Sequence, residues 1–162
     1  MDLDLQYRID ETGTWIKLTG SSLGFDNREV RFEHERQGDW AYFVDFSQTP
    51  AAEPLNVSTG LTGIGAVSQS TAGTGLRAVE LETKREHMKL GFAKQLGRGF
   101  DVNIDFAHDE KNGARLLGAE GFNFLTEPIE FTHQEVKARL GFNSLRLQMS
   151  DGYYTGNTQP RR

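Results

Sequence analysis

The chain has 162 residues, room for one domain of ordinary size, with a net charge of −5, a pI near 5.4 and no cysteine. The acidic balance argues against nucleic acid as the main partner, because phosphate binding draws on a surplus of Lys and Arg. Without cysteine there are no disulfides, no thiolate metal sites and no covalent c-type haem attachment.

Only 36% of residues are apolar, yet there are 18 glycines and 11 phenylalanines. That mixture suits many strands, each with half its residues apolar. No apolar run is long enough for a transmembrane helix. Met1 is followed by DLDLQYRID, which is acidic and already alternating, unlike a signal peptide. The expectation is that an exported chain of this kind has lost its leader or belongs to something longer.

Helical periodicity is nearly absent, and period-2 alternation recurs. Leu3, Leu5, Tyr7 and Ile9 alternate with Asp4, Gln6 and Arg8. Ile16 and Leu18 follow after Glu11-Thr12-Gly13, then Val30 and Phe32 against Arg31 and Glu33. Past Gln37-Gly38-Asp39 come Trp40, Tyr42, Val44 and Phe46. Met88, Leu90 and Phe92 precede Gln95-Leu96-Gly97, and Phe100, Val102, Ile104 and Phe106 alternate with Asp101, Asn103 and Asp105. Val136, Ala138, Leu140 and Phe142 face away from Glu135, Lys137 and Arg139, and Leu145, Leu147 and Met149 resume the pattern. The reading is an all-β, antiparallel up-and-down meander of about eight strands over 1–157, with a tail at 158–162.

Turn positions predict the registers, since antiparallel partners share a face. A turn at Thr12-Gly13 would pair Ile9 with Ile16. One at Gln95-Leu96-Gly97 would pair Phe92 with Phe100, and one at Asn143-Ser144 would pair Phe142 with Leu145 and Leu140 with Leu147. Leu90, Val102, Ile104, Leu140, Phe142 and Leu147 then share one face. The connections alternate between tight turns and longer stretches, with long loops expected at 47–76 and 108–128. Outer-membrane barrels sort their connections this way, short on the periplasmic side and long outside. The meander is therefore read as part of a transmembrane β-barrel, its apolar face toward lipid. Arg31, Glu33, Lys89, Asp101, Asp105, Lys137 and Arg139 are the candidate lumen-facing residues.

Catalytic and metal signals are weak. His34, His87, His108 and His133 have no second ligand at metal-binding spacing, although a site across strands stays open. HDEKNG at 108–113 is ordinary strand-end chemistry and lacks the oxygen pattern of a calcium loop. There is no G-x-S-x-G, and the glycine clusters GLTGIGA and GTGLRA lack the strand-to-helix setting of a nucleotide loop. The expectation is a protein that is not an enzyme.

Three stretches in order, GFDNREVRFEHERQGDWAYFVDFSQTP, HDEKNGARLLGA and EPIEFTHQEVKARLGFNSLRLQMSDGYYTGN, resemble the MtrB/PioB-type outer-membrane barrels. Gly24, Asp26 and Arg28 match a G-x-D-x-R start, and Arg36-Gln37-Gly38 an RQG turn before an aromatic strand. His108, Glu110 and Gly113 match a strand-end motif, Glu127, Pro128, Ile129 and Thr132 an EPI-x-x-T motif, and Gly152, Tyr153 and Asn157 a terminal GYY motif. The chain departs from the pattern at Tyr154-Thr155-Gly156-Asn157, where a Ser and a Phe are missing, and it has no redox-type cysteine motif.

The resemblance implies one part of a longer barrel in the outer membrane. Such a barrel would sheath a periplasmic multihaem c-type cytochrome, so that electrons cross the membrane. The haem would belong to that partner and none to this chain, and the seven lumen residues would face the partner. Two other readings stay open: a small OmpA-like structural or pore-forming barrel closed by these eight strands, and a soluble lipocalin-like ligand-binding barrel.

Overall fold

A computed structural model describes residues 1–52, 57–71, 73, 75–120 and 123–160. The last two residues of the expected tail 158–162 and parts of the glycine-rich stretch 47–76 lie outside the described residues.

The chain is all-β. Among the described residues twelve strands follow in order: β1 (Leu3–Ile9), β2 (Thr14–Ser21), β3 (Glu29–Arg36), β4 (Trp40–Ala52), β5 (Val57–Thr59), β6 (Leu61–Thr62), β7 (Ser70–Thr71), β8 (Arg77–Val79), β9 (Glu82–Gly97), β10 (Phe100–Glu120), β11 (Asn123–Asn143) and β12 (Gln148–Pro160). Eight of them form one antiparallel meander, β1-β2-β3-β4-β9-β10-β11-β12. β1 and β12 stand at opposite ends and do not pair with each other, so these eight strands form an open sheet and do not close a barrel by themselves. β5 pairs with β8 and β6 with β7, making two small ribbons at the end of the sheet away from the tight turns.

The turn between β3 and β4 lies at Gln37-Gly38-Asp39, as the sequence predicts, with Arg36 opposite Trp40. The other three registers differ from the expectation by an even number of residues. Ile9 pairs with Thr14 and Tyr7 with Ile16, because the loop spans Asp10 to Gly13. Phe92 pairs with Ile104 and not Phe100, because β9 runs on to Gly97 and reverses at Arg98-Gly99. Both turn residues have positive φ (54° and 87°), which a two-residue type I′ reversal requires. Leu96 is the extra residue of a bulge beside that turn.

Phe142 pairs with Met149, because the loop takes Ser144 to Leu147. The Ser144 amide donates to the Leu147 carbonyl (2.8 Å), and the Leu147 amide donates back to Ser144 Oγ (3.1 Å). Leu147 therefore sits in the turn and not on the apolar face, and Leu145 is fully exposed there. An even slip preserves which face each residue occupies; an odd one would have reversed it.

The sequence predicts loops over 47–76 and 108–128, and the structure carries strand into both. β4 continues to Ala52, and β10 and β11 stay paired out to Glu120 and Asn123. The alternation signal stops near Phe106 because both faces of the strand become polar there: His108, Glu110 and Asn112 on one side, Asp109 and Lys111 on the other. β12 likewise runs through 158–160, where Thr158 pairs with His133. Leu81 breaks the alternation that reaches Met88 because it precedes β9 and is buried.

Two faces result. On one, cross-strand rows run in register through the sheet: Tyr7, Ile16, His34, Tyr42, Phe92, Ile104, Ala138, Tyr153; and next to it Leu5, Leu18, Phe32, Val44, Leu90, Phe106, Val136, Thr155. No element of the described chain covers these rows. Ile104 is 45% exposed, Leu140 49% and Phe92 43%, and among the described residues the buried apolar side chains are Leu61 and Leu81, beyond the tight-turn half of the sheet. A soluble sheet of this width must hide its apolar face against another layer. This one leaves it bare over a band about the length a tilted strand needs to cross hydrocarbon.

Ile104 sits in the middle of that band, and Asn103 beside it faces the other way. Ile104→Arg should destabilise the inserted barrel by about 2–4 kcal/mol, the cost of a cation at the bilayer midplane. Asn103→Arg should cost far less. Urea titration of the barrel in vesicles measures both. Equal losses would mean that the two faces are not distinguished by lipid.

Candidate functional site

The opposite face holds the candidate residues. Arg31 and Glu33 of β3, Lys89 of β9, Asp101 and Asp105 of β10, and Lys137 and Arg139 of β11 all fall on it. Its central row reads Gln6, Lys17, Glu33, Phe43, Gly91, Asp105, Lys137, Tyr154.

Most of these charges are matched within the sheet. Arg31 donates to Glu33 from Nε and Nη2 (2.9 and 2.7 Å) and to Asp45 from Nη1 (3.1 Å). Arg139 Nη2 donates to Asp101 (3.1 Å), Lys89 lies 3.9 Å from Asp105, and Lys137 contacts Glu135. Asp45 and Glu135 are not among the seven candidates, although the alternation already places Glu135 on the polar side of its strand. Their parity with Arg31 and Lys137 is the signal that places them there. The result is a surface of alternating sign with no dominant charge.

Two glycines shape this face. A Cβ on Gly91 would stand 2.1 Å from Cε1 of Phe43, so the missing side chain lets that ring lie flat across β9. The ring is held between two cations, Arg31 at 4.6 Å and Lys89 at 5.4 Å from its centroid. Gly141 does the same for the Asp101 carboxylate, whose Oδ1 would be 2.3 Å from an added Cβ. Neither glycine is at a turn, and the alternation pattern gives no reason for them. Contact with a neighbouring strand does.

Beyond the apolar band the same face carries Asp109, nearly buried, which receives Nε and Nη2 of Arg85 (2.9 and 2.6 Å) and has His87 Nδ1 at 3.0 Å. On β10 and β11 the opposite face is polar here too, with His108, Glu110, Thr132 and Gln134, which puts the cluster outside the hydrocarbon. Burial pushes the Asp109 carboxyl up, but Arg85 and His87 outweigh it and hold it below the usual aspartate range.

The four histidines separate. His87 and His133 lie on the charged face, where His133 Nδ1 is 2.7 Å from Thr158 Oγ1. His34 and His108 lie on the other, beside Tyr42 and Gln134. Among the described residues no group of three His, Asp or Glu side chains is placed to hold a metal ion.

An open antiparallel meander with one bare apolar face, one ion-paired face and tight turns at one end is the wall of an outer-membrane β-barrel: lipid takes the apolar face, and the lumen the charged one. The profile of the outer-membrane beta-barrel porins described as MtrB/PioB matches residues 1–157. The chain belongs to this family, and its place is the outer membrane. It is similar to the Outer membrane protein MtrB of Shewanella baltica (strain OS185), with 24% identity over 156 residues. That match takes in 85% of this chain and 22% of the relative, so the chain spans under a quarter of that protein's length.

The family motifs fall at identifiable places. Arg36-Gln37-Gly38 ends β3 and enters the β3–β4 turn. Gly113, at φ 140°, sits where β9 crosses so closely that a Cβ would be 2.2 Å from the Glu82 carbonyl oxygen.

Because the Asp109 pKa is depressed on folding, its contribution to stability is present above about 3.9, the unfolded value, and lost as pH falls through the folded value below it. Amide exchange along 83–87 and 107–111 should stay slow down to about that pH and then accelerate relative to Asp109→Asn. The variant should already exchange faster at pH 7. Identical exchange in both proteins at pH 7 would remove the cluster from the account.

Proposed function

We propose that this chain forms part of a porin-like sheath that encloses a periplasmic multihaem c-type cytochrome, so that electrons cross the outer membrane inside it. The carrying observation is the charge-matched face. A pore that selects ions in water relies on rings of one sign. Here most of the cations are held against carboxylates of the same sheet, Arg31 to Asp45 and Arg139 to Asp101 among them, which leaves little field to steer an ion. A face of that kind suits close packing against another protein, where complementary charges fix register and reject wrong partners.

In this reading the chain has no catalytic task and binds no cofactor. The haems belong to the cytochrome, which fits a sequence without cysteine. Lys137, Arg139, Asp101, Asp105, Lys89, Arg31 and Glu33 are the partner-facing residues. Barrel walls keep every backbone group paired within the bilayer and exclude lipid from the haem chain. The small closed barrel is disfavoured by the unpaired ends of the sheet, and the soluble barrel by its bare apolar face.

The test is haem retention. The barrel that carries this chain, expressed with a multihaem cytochrome, should hold the haem absorbance through purification. Lys137→Glu with Arg139→Glu should lower retention at least tenfold, about 1.4 kcal/mol, while heat-modifiable folding is unchanged. A barrel that folds, conducts ions freely and retains no cytochrome would favour the open pore instead.

A further inference from the structure

The RQG turn has a chemistry that the sheath does not use. On the apolar face, Arg36 pairs across with Trp40, and Trp40 with Lys94, so two cations flank one indole in a single row. Asp39 from the turn lies beneath them: Arg36 Nη1 is 3.8 Å from its Oδ2, and Lys94 Nζ contacts its Oδ1. Trp40 stacks on Tyr42 at 5.7 Å and 16°, and His34 stands edge-on to Trp40 at 4.8 Å, with its Nδ1 2.9 Å from the Tyr42 hydroxyl. Phe92 and Ile104 continue the surface into the apolar band.

We propose that Arg36, Lys94 and Trp40 form a binding site for the phosphodiester of a glycerophospholipid in the periplasmic leaflet. The location follows from the topology: the tight turns are the periplasmic ends, and this row is the last on the lipid-facing side before the turn. The charge follows from the count of groups. Two cations share one carboxylate, which leaves one positive charge over, and a phosphodiester carries one negative charge.

The donors follow from the geometry. The guanidinium of Arg36 has five N–H groups and reaches Asp39 only at long range, and its side chain is half-exposed. A planar fork with unused donors matches phosphate oxygens. The turn does not need the ion pairs to keep its shape. The Gln95 amide donates to the Asp39 carbonyl (2.7 Å), and the Asp39 amide to the Arg36 carbonyl (3.0 Å). The aromatic stack supplies a wall for the glycerol backbone, and the apolar rows beyond it a track for the acyl chains. The inference rests on the membrane setting and is independent of what fills the lumen.

The experiment is native mass spectrometry of the barrel that carries this chain, purified in a neutral detergent. Phosphatidylethanolamine or phosphatidylglycerol is titrated in, with diacylglycerol as a tail-only probe and inorganic phosphate as a headgroup-only probe. Phospholipid should bind saturably, diacylglycerol should not, and inorganic phosphate should compete only weakly. Arg36→Gln with Lys94→Gln should weaken phospholipid binding at least tenfold. Lys84→Gln, on the same face at the far end of β9, should leave it unchanged.

Heat-modifiability confirms that each variant is folded. Should the double variant fail to fold, Arg36→Lys, which keeps the charge and removes the fork, should still weaken binding severalfold. Equal binding of diacylglycerol would mean a tail-only annulus, and strong competition by phosphate a free-anion site. Either result, or unchanged binding in the folded double variant, would overturn the assignment.

Discussion

Everything in this sheet depends on an unbroken cross-strand register through the apolar band. Each residue is placed on a face by its parity, and a single odd slip anywhere would turn every later strand inside out. The irregularities sit outside the band: one bulge at Leu96 beside a tight turn, the other between Leu116 and Gly118 near the far end of β10 and β11. Between them, eight strands keep phase, and one row can carry Ile16, Tyr42, Phe92, Ile104 and Tyr153 on a common surface. The apolar and charged faces are two consequences of that one constraint.

The same constraint explains how much the sequence could show. The number and order of the strands in the main sheet and most face assignments were legible, because alternation reports parity directly; the four short strands β5 to β8 and the turn position of Leu147 were not. Pair partners were less so. Phe142 was expected opposite Leu145 and meets Met149, because nothing in Asn143-Ser144 signals that the loop would take four residues. Strand length was hidden for a physical reason. Apolar alternation marks where a strand meets lipid, not where it ends. β10 and β11 continue as paired strand well past Phe106, into water, where both faces are polar and the period vanishes. The candidate charges were legible by parity, but their matching was not. Gly91 and Gly141 make sense only once Phe43 and Asp101 are seen lying across them.

Pairing of charge within the wall also bears on the proposed sheath, because it changes what this face could offer a partner. Lys137 and Arg139 read from the sequence as candidate lumen-facing residues, with no partner on the sheet assigned to them. In the structure they are held by Glu135 and Asp101. Side chains already fixed by a neighbour lose little freedom on contact with another protein, so such a face favours fit over long-range attraction. The MtrB/PioB wall built by this chain is thus a patterned, nearly neutral surface backed by lipid-facing rows.

The account's central claim, that lipid and lumen lie on opposite sides of one alternating strand, is tested most directly on β10. Single nitroxide labels at positions 101 to 106, in the barrel reconstituted in vesicles, report collisions with oxygen from the lipid side and with a nickel chelate from the aqueous side. The account predicts that 102, 104 and 106 favour oxygen while 101, 103 and 105 do not, in strict alternation. Labels at 101, 103 and 105 that favour oxygen instead, or six labels that respond alike, would contradict it.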